Sequence, residues 1–223
     1  MIFKYKLLIT IVALSLLFTA CKKNSATNNN NSNNNNNSNN NKDSSSPTYY
    51  YQATINGVVY RENVTDTDQA NYIPISTSDG YGNSRTFESG IGPLDTVPRN
   101  RTALGITKGV FANFNYADTT DFLAFFNPGS YSYAAAYEAM YGDNGVTVNW
   151  TDKTGTYWES DYAPGTQTGS IFTITKVEDP AGTVSNGTYY LKVTATFNCK
   201  LYDGNGNSVT LTNGSYVGLF GNL

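Results

Sequence analysis

Histidine is absent from this sequence. That removes the Ser-His-Asp and Cys-His arrangements, in which an imidazole carries the proton. Cysteine occurs only at positions 21 and 199, so no internal disulfide framework is available. Basic runs are missing from residues 48–223, where nine Lys and Arg stand against sixteen Asp and Glu, a net charge of −7. An acidic segment of this kind is not built to neutralise phosphates, which excludes nucleic acid as a partner. No apolar run is long enough to span a membrane as a helix. Leu7 to Phe18 is broken only by Thr10 and Ser15 but covers a dozen residues, whereas a ~30 Å hydrocarbon core needs about twenty.

What that short run does resemble is a secretory signal. Lys4 and Lys6 precede it, small residues close it, and Cys21 follows. Residues 1–20 therefore read as a signal peptide. Phe18-Thr19-Ala20-Cys21 is similar to the bacterial lipobox, which implies that Cys21 becomes the first residue of the mature chain and carries the lipid. Each buried acyl CH₂ contributes ~0.8 kcal/mol, so several chains, palmitate among them, anchor firmly. The expected partner of this end of the molecule is the membrane.

Residues 21–47 form the next segment. Asn24 to Asn41 is nearly pure Asn with a little Ser, and Lys42 to Pro47 stays polar. Such a segment has nothing with which to build a core and is expected to be a disordered tether. Fully extended, residues 22–47 reach roughly 90 Å, and as a coil ~28 Å. The rival reading is an aggregation-prone Asn tract.

Residues 48–223 are long enough for one domain with a real core. Asn-Gly or Asp-Gly recurs at 56–57, 79–80, 144–145, 186–187, 203–204 and 213–214, between β-branched and aromatic runs. This punctuation predicts an all-β domain, an antiparallel β-sandwich of about 8–10 strands. Tyr49 to Ile55 and Val58 to Tyr60 read as a hairpin. Further strands are expected near Arg85–Ser89, at Ala103–Thr107 and at Asp121–Phe126. Tyr189 to Tyr202 alternates so that Tyr189, Leu191, Val193, Ala195, Phe197, Cys199 and Leu201 share a dry face. Ser208–Thr212 and a closing strand at Tyr216–Phe220 follow. Tyr131 to Tyr141, with Ala134-Ala135-Ala136, predicts one short helix. A five-residue loop over Thr151 to Gly155 would set Val148 against Trp158 and make Trp150 and Trp158 diagonal neighbours on one face.

The lipobox with Cys21-Lys22-Lys23, the opening Ala53-Thr54-Ile55-Asn56-Gly57-Val58 and the close Phe197-Asn198-Cys199-Lys200-Leu201-Tyr202-Asp203 … Leu211-Thr212-Asn213-Gly214 together resemble small all-β lipoproteins of Bacteroidetes-type bacteria. The resemblance implies an outer-membrane, lipid-anchored envelope protein and brings no catalytic residues. Surface-exported members of that group carry acidic residues after the cysteine; Lys22-Lys23 leave the periplasmic and surface faces both open. Asp95-Thr96-Val97 and Asp118-Thr119-Thr120 look like the group's O-glycosylation pattern, with Thr96 and Thr119 as acceptors.

Candidate chemistry is sparse. Cys199 on a dry face reads as a small inert hydrophobe. Glu159 and Asp161, two apart on a strand, have the spacing of a glycosidase pair, but acids on a wet face are ordinary. Asp203-Gly204-Asn205-Gly206-Asn207 begins like a calcium loop but has Gly214 where the twelfth-position acid belongs, and the same residues suit a turn. No catalytic residue, metal or cofactor is expected. The stronger signal is aromatic: Tyr131, Tyr133, Tyr137, Tyr141, Trp150, Tyr157, Trp158 and Tyr162 crowd together, and rigid rings near carboxylates suit glycans or proteins. Tyr137, Tyr141, Trp150, Tyr157, Trp158 and Tyr162 are the candidate ligand-binding residues. The expected function is a non-enzymatic binding module for a glycan or envelope protein. The alternatives are an assembly component pairing through its last strand and a carboxylate glycosidase.

Overall fold

The computed structural model describes residues 49–64, 72–78 (backbone only), 85–92, 101–112, 118–135, 145–162, 165–179 and 189–222. They fold as an all-β protein with one short helix. The strands are β1 (Tyr49–Ile55), β2 (Val58–Val64), β3 (Tyr72–Ser78), β4 (Arg85–Ile91), β5 (Ala103–Phe111), β6 (Gly129–Tyr131), β7 (Val146–Thr151), β8 (Tyr157–Glu159), β9 (Ile171–Glu178), β10 (Tyr189–Tyr202) and β11 (Ser208–Asn222). Helix α1 is Thr119–Phe125. The strands form one antiparallel sheet in the order β2-β1-β11-β10-β8-β7-β5-β4-β3, with β9 branching from β10 and β6 pairing β9.

The two layers of the sandwich are this one sheet curled on itself, so that β11 packs against β3 and β4. Hydrogen bonds cross the core between strands far apart in the sheet order. Tyr216 Oη and Ser89 Oγ lie 2.6 Å apart, and Tyr51 bonds Thr102 through their hydroxyls. Tyr60 of β2 packs on Trp150 of β7 at 5.3 Å between ring centroids, and Arg101 pairs with Glu62 at 2.7 Å.

The alternation expected in β10 is present: Leu191, Val193, Ala195, Phe197, Cys199 and Leu201 are all buried. The Asn56-Gly57 hairpin is also present, with Ile55 opposite Val58 and both turn residues at positive φ, 48° and 81°.

Three expectations need correction. Asp121–Phe126 is not a strand, because Asp118 caps a helix there: its carboxylate accepts from the backbone N–H of Thr120 and Asp121, and the Asp121 side chain accepts from the Asp118 N–H. Phe122 and Phe126, one turn apart, then enter the core together with Phe125 against Phe87 and Phe111. The helix expected from Tyr131 is absent at its start. Tyr131 ends β6, and the next residues pair with β7, Ala134 N–H donating to the Val146 carbonyl and Val146 N–H to that of Ser132, both at 2.9 Å. Residues 136–141 lie outside the described residues. Asn213-Gly214 does not reverse the chain: it is a bulge inside β11. Leu211 faces Cys199, Gly214 faces Phe197, and Asn213, at φ 51°, pairs with neither neighbouring strand. The segments expected as two strands are therefore one. Within Tyr216–Phe220, Tyr216 and Val217 lie between β1 and β10 while Gly218 to Phe220 pair with β10, so β11 is an interior strand of the sheet order and not its edge. β3 and β9 are strands that the pattern of turns and apolar runs does not announce.

Lys108 points inward from β5 and is fully buried. Its Nζ sits 3.7 Å from the Phe125 ring centre and 4.5 Å from that of Tyr131, and burial lowers its pKa to about 8.

Candidate functional site

The outward face of β4, β5, β7 and β8 carries the most unusual chemistry among the described residues. Strand alternation sends Phe87, Ile106, Val148 and Trp150 into the core, which leaves Glu88, Gly90, Gly105, Thr107, Thr147 and Asn149 on the other side. The register aligns them across strands: Gly90 is opposite Gly105, Gly105 opposite Asn149, and Asn149 opposite Glu159. Gly105 has a specific purpose here. A Cβ on it would stand 2.5 Å from Asn149 Oδ1, so the amide lies flat across the glycine. Asn149 Nδ2 thereby reaches Glu88 Oε1, at 3.4 Å, from two strands away.

Glu159 closes the row. It accepts from the Tyr157 hydroxyl at 2.9 Å. Burial first, then the carboxylates of Asp161 and Glu88, push its pKa up to about 7, and the tyrosine bond only partly offsets this. Burial likewise raises Glu88 and Asp161. Among the described residues none of these three acids has a cationic partner. Asp161 is 7% exposed. Its Oδ1, and the Oγ1 of nearby Thr147, are buried without a hydrogen bond of ordinary geometry. Among the described residues no group of His, Cys, Asp and Glu has a metal-binding arrangement.

The aromatic candidates divide. Trp150 is 4% exposed and belongs to the core, which removes it from any platform. Trp158 stands directly opposite Trp150 on the same face, rather than diagonal to it. The loop begins at Asp152, whose Oδ1 accepts from Thr154 N, Thr154 Oγ1 and Thr156 N, and this shifts the expected register by two residues. Trp158 is half-buried and donates from Nε1 to Asp152 Oδ2 at 3.3 Å. Tyr157 is 41% exposed, and its ring meets Tyr162 edge-on at 6.1 Å. Tyr137 and Tyr141 lie outside the described residues, as do Cys21 and Thr96. Thr119 opens α1, where the carboxylate of the preceding Asp118 is engaged as the cap.

Cys199 is buried, and burial pushes its thiol up to about 12, so it is not poised as a nucleophile. Asp203 spends its carboxylate within the β10–β11 turn, accepting from Asn205 N, Asn207 N and Asn207 Nδ2. Glu88, Gly105 and Asn149 were not singled out from the sequence. They stand 17 and 44 residues apart, and only the sheet order brings them together. No family model, no curated protein and no solved structure matches this chain.

Proposed function

We propose that this chain is an outer-membrane lipoprotein, anchored through Cys21 and the Asn-rich tether, that binds an envelope glycan without transforming it. The observation that carries the reading is the outward row from Gly90 to Glu159. It has a side-chain-free floor at Gly90, where an added Cβ meets nothing within 4 Å. Beside that floor stand an amide, half-buried acids without cations, and the exposed Tyr157 ring. Hydroxyl-bearing ligands need acceptors and a rigid apolar surface, and this face offers both. Catalysis by a carboxylate pair is disfavoured because Asp161 is too enclosed to reach a substrate.

The test is a titration of the lipidated chain, in a detergent without sugar head groups, with envelope-derived oligosaccharides. The heat of binding is the readout, since Trp150 and Trp158 share the face of β7 and β8 opposite to Tyr157. Binding that weakens about tenfold in Tyr157→Ala supports the reading; identical binding by that variant removes it. Fractionation tests the anchor: Cys21→Ser should move the protein from membrane to soluble fraction.

A second reading is favoured by one observation. β2 ends the sheet order, and its Val58 and Val59 are 53% and 64% exposed. Strand addition at this edge would make the protein an assembly component. Amide exchange in β2 that slows with protein concentration would support it, and exchange independent of concentration would count against it.

A further inference from the structure

The bulge in β11 opens a second surface, unrelated to the carboxylate face. A shallow concavity of about 420 Å³ lies there, walled by Ile171, Thr196, Asn198, Asn213, Gly214 and Ser215. Its volume is in the range of small-molecule sites, ~300–1,000 Å³.

Three features give it a chemical identity. First, none of its lining side chains ionises. Asn198, Asn213, Thr196 and Ser215 offer carbamoyl and hydroxyl groups, each able to donate and to accept. Asn198 uses Oδ1 to hold the Ile171 N–H at 2.8 Å. Among the described residues its Nδ2, the Asn213 amide and the Thr196 hydroxyl make no hydrogen bond. Second, Ile171 is 57% exposed at one wall, an apolar surface beside the polar ones. Third, the floor is rigid. Phe197 stacks on Phe172 at 5.8 Å and 20°, and the Gly214 backbone lies directly on the Phe197 ring, where a Cβ would approach to 2.6 Å.

The backbone points the same way. Asn213 is a non-glycine residue at φ 51° in mid-strand, left out of the ladder on both sides. Bulges of this kind re-aim side chains and leave backbone polar groups unpaired. Here the bulge adds a second amide, that of Asn213, to the same neutral lining as Asn198.

The geometry points to a subsite for a neutral sugar at the β11 bulge, with Asn198 and Asn213 bonding ring hydroxyls and Ile171 covering a C–H face. A charged ligand would find no counter-ion in this lining, whereas a sugar hydroxyl, itself donor and acceptor, is matched by every polar group there.

The experiment is calorimetric titration of the lipidated chain, again without sugar detergents, with cellobiose, maltose, xylobiose and N,N′-diacetylchitobiose. At least one should bind. Thr196→Lys places a long cation on an exposed strand position and should abolish that binding. Asn213→Gly keeps the positive φ while deleting the amide, and should weaken it by about tenfold. Lys153→Ala, in the exposed β7–β8 turn, should leave it unchanged. The proposal is overturned if none of the four disaccharides binds, or if binding survives both Thr196→Lys and Asn213→Gly. If binding is lost only in Tyr157→Ala, the carboxylate face is the sugar site and this subsite falls.

Discussion

On β4, β7 and β8 the outward side chains include Glu88, Asn149 and Glu159, with Asp161 just beyond, and no cation stands beside the acids among the described residues. Around the bulge of β11 the outward groups are Thr196, Asn198, Asn213 and Ser215, none of which ionises. Both faces are floored by glycine, but the glycines act differently. Gly90 leaves open space, and Gly105 lets Asn149 lie down toward Glu88, while Gly214 lets backbone rest on an aromatic ring. The first face stores electrostatic tension that pH can relieve. The second is silent to pH and depends on backbone geometry. The difference separates what each can recognise, and it can be broken or sharpened by substitution.

The largest expected effect is at Gly214. An alanine Cβ would meet the Phe197 ring at 2.6 Å and the Phe197 carbonyl oxygen at 2.7 Å. The carbonyl belongs to a paired strand and cannot rotate away. Gly214→Ala should lower stability by about 3 kcal/mol, read as a lower urea midpoint at unchanged slope. Gly90→Ala, facing open space within a strand, should be neutral or slightly stabilising, by about 0.5 kcal/mol. Equal losses at both positions would erase the distinction between the two floors.

Next is the pH response of the carboxylate face. The folded Glu159 pKa of about 7 lies above its ordinary 4.5. Its protonated form therefore favours the fold. That contribution is complete below about pH 4.5, declines as pH rises toward 7, and is gone above it. Glu159→Gln keeps the shape and removes the charge. The variant should gain about 2 kcal/mol over wild type at pH 8, after allowance for solvent screening, and nothing at pH 4. Thr196→Lys on the neutral face should show no such pH-dependent difference. Tyr157→Phe should push Glu159 higher still, since the lost phenol bond is what holds it down.

Particular residues show how far the sequence could be read. The dry face of β10 and the Asn56-Gly57 hairpin were legible because both are local: a period of two, and a dipeptide that accepts positive φ. α1 was misread although its signal was present. Asp118 and Asp121 form a capping box, and Phe122 and Phe126 are spaced by four, but a short apolar run admits either period. Asn213-Gly214 shows a deeper limit. The dipeptide did specify positive φ at Asn213, but whether the chain then reverses or continues depends on β1 and β10, which hold β11 on both sides. Both candidate faces are illegible for the same reason. Neither Glu88 with Asn149 nor Asn198 with Asn213 is adjacent in the chain, and strand order cannot be derived from alternation.

The smallest expected effect compares the two positive-φ asparagines. Asn56, at φ 48°, uses its Oδ1 to accept the Thr210 N–H at 3.1 Å, which ties the β1–β2 turn to β11. Asn213, at φ 51°, makes no side-chain hydrogen bond among the described residues. Glycine adopts either conformation freely but costs about 0.5–1 kcal/mol in unfolded-chain entropy. At Asn56 the lost hydrogen bond adds about 1 kcal/mol more, so Asn56→Gly should destabilise more than Asn213→Gly. Two urea titrations decide it. If the two substitutions cost the same, the Asn213 amide is already bonded within the fold and is not held out for a ligand.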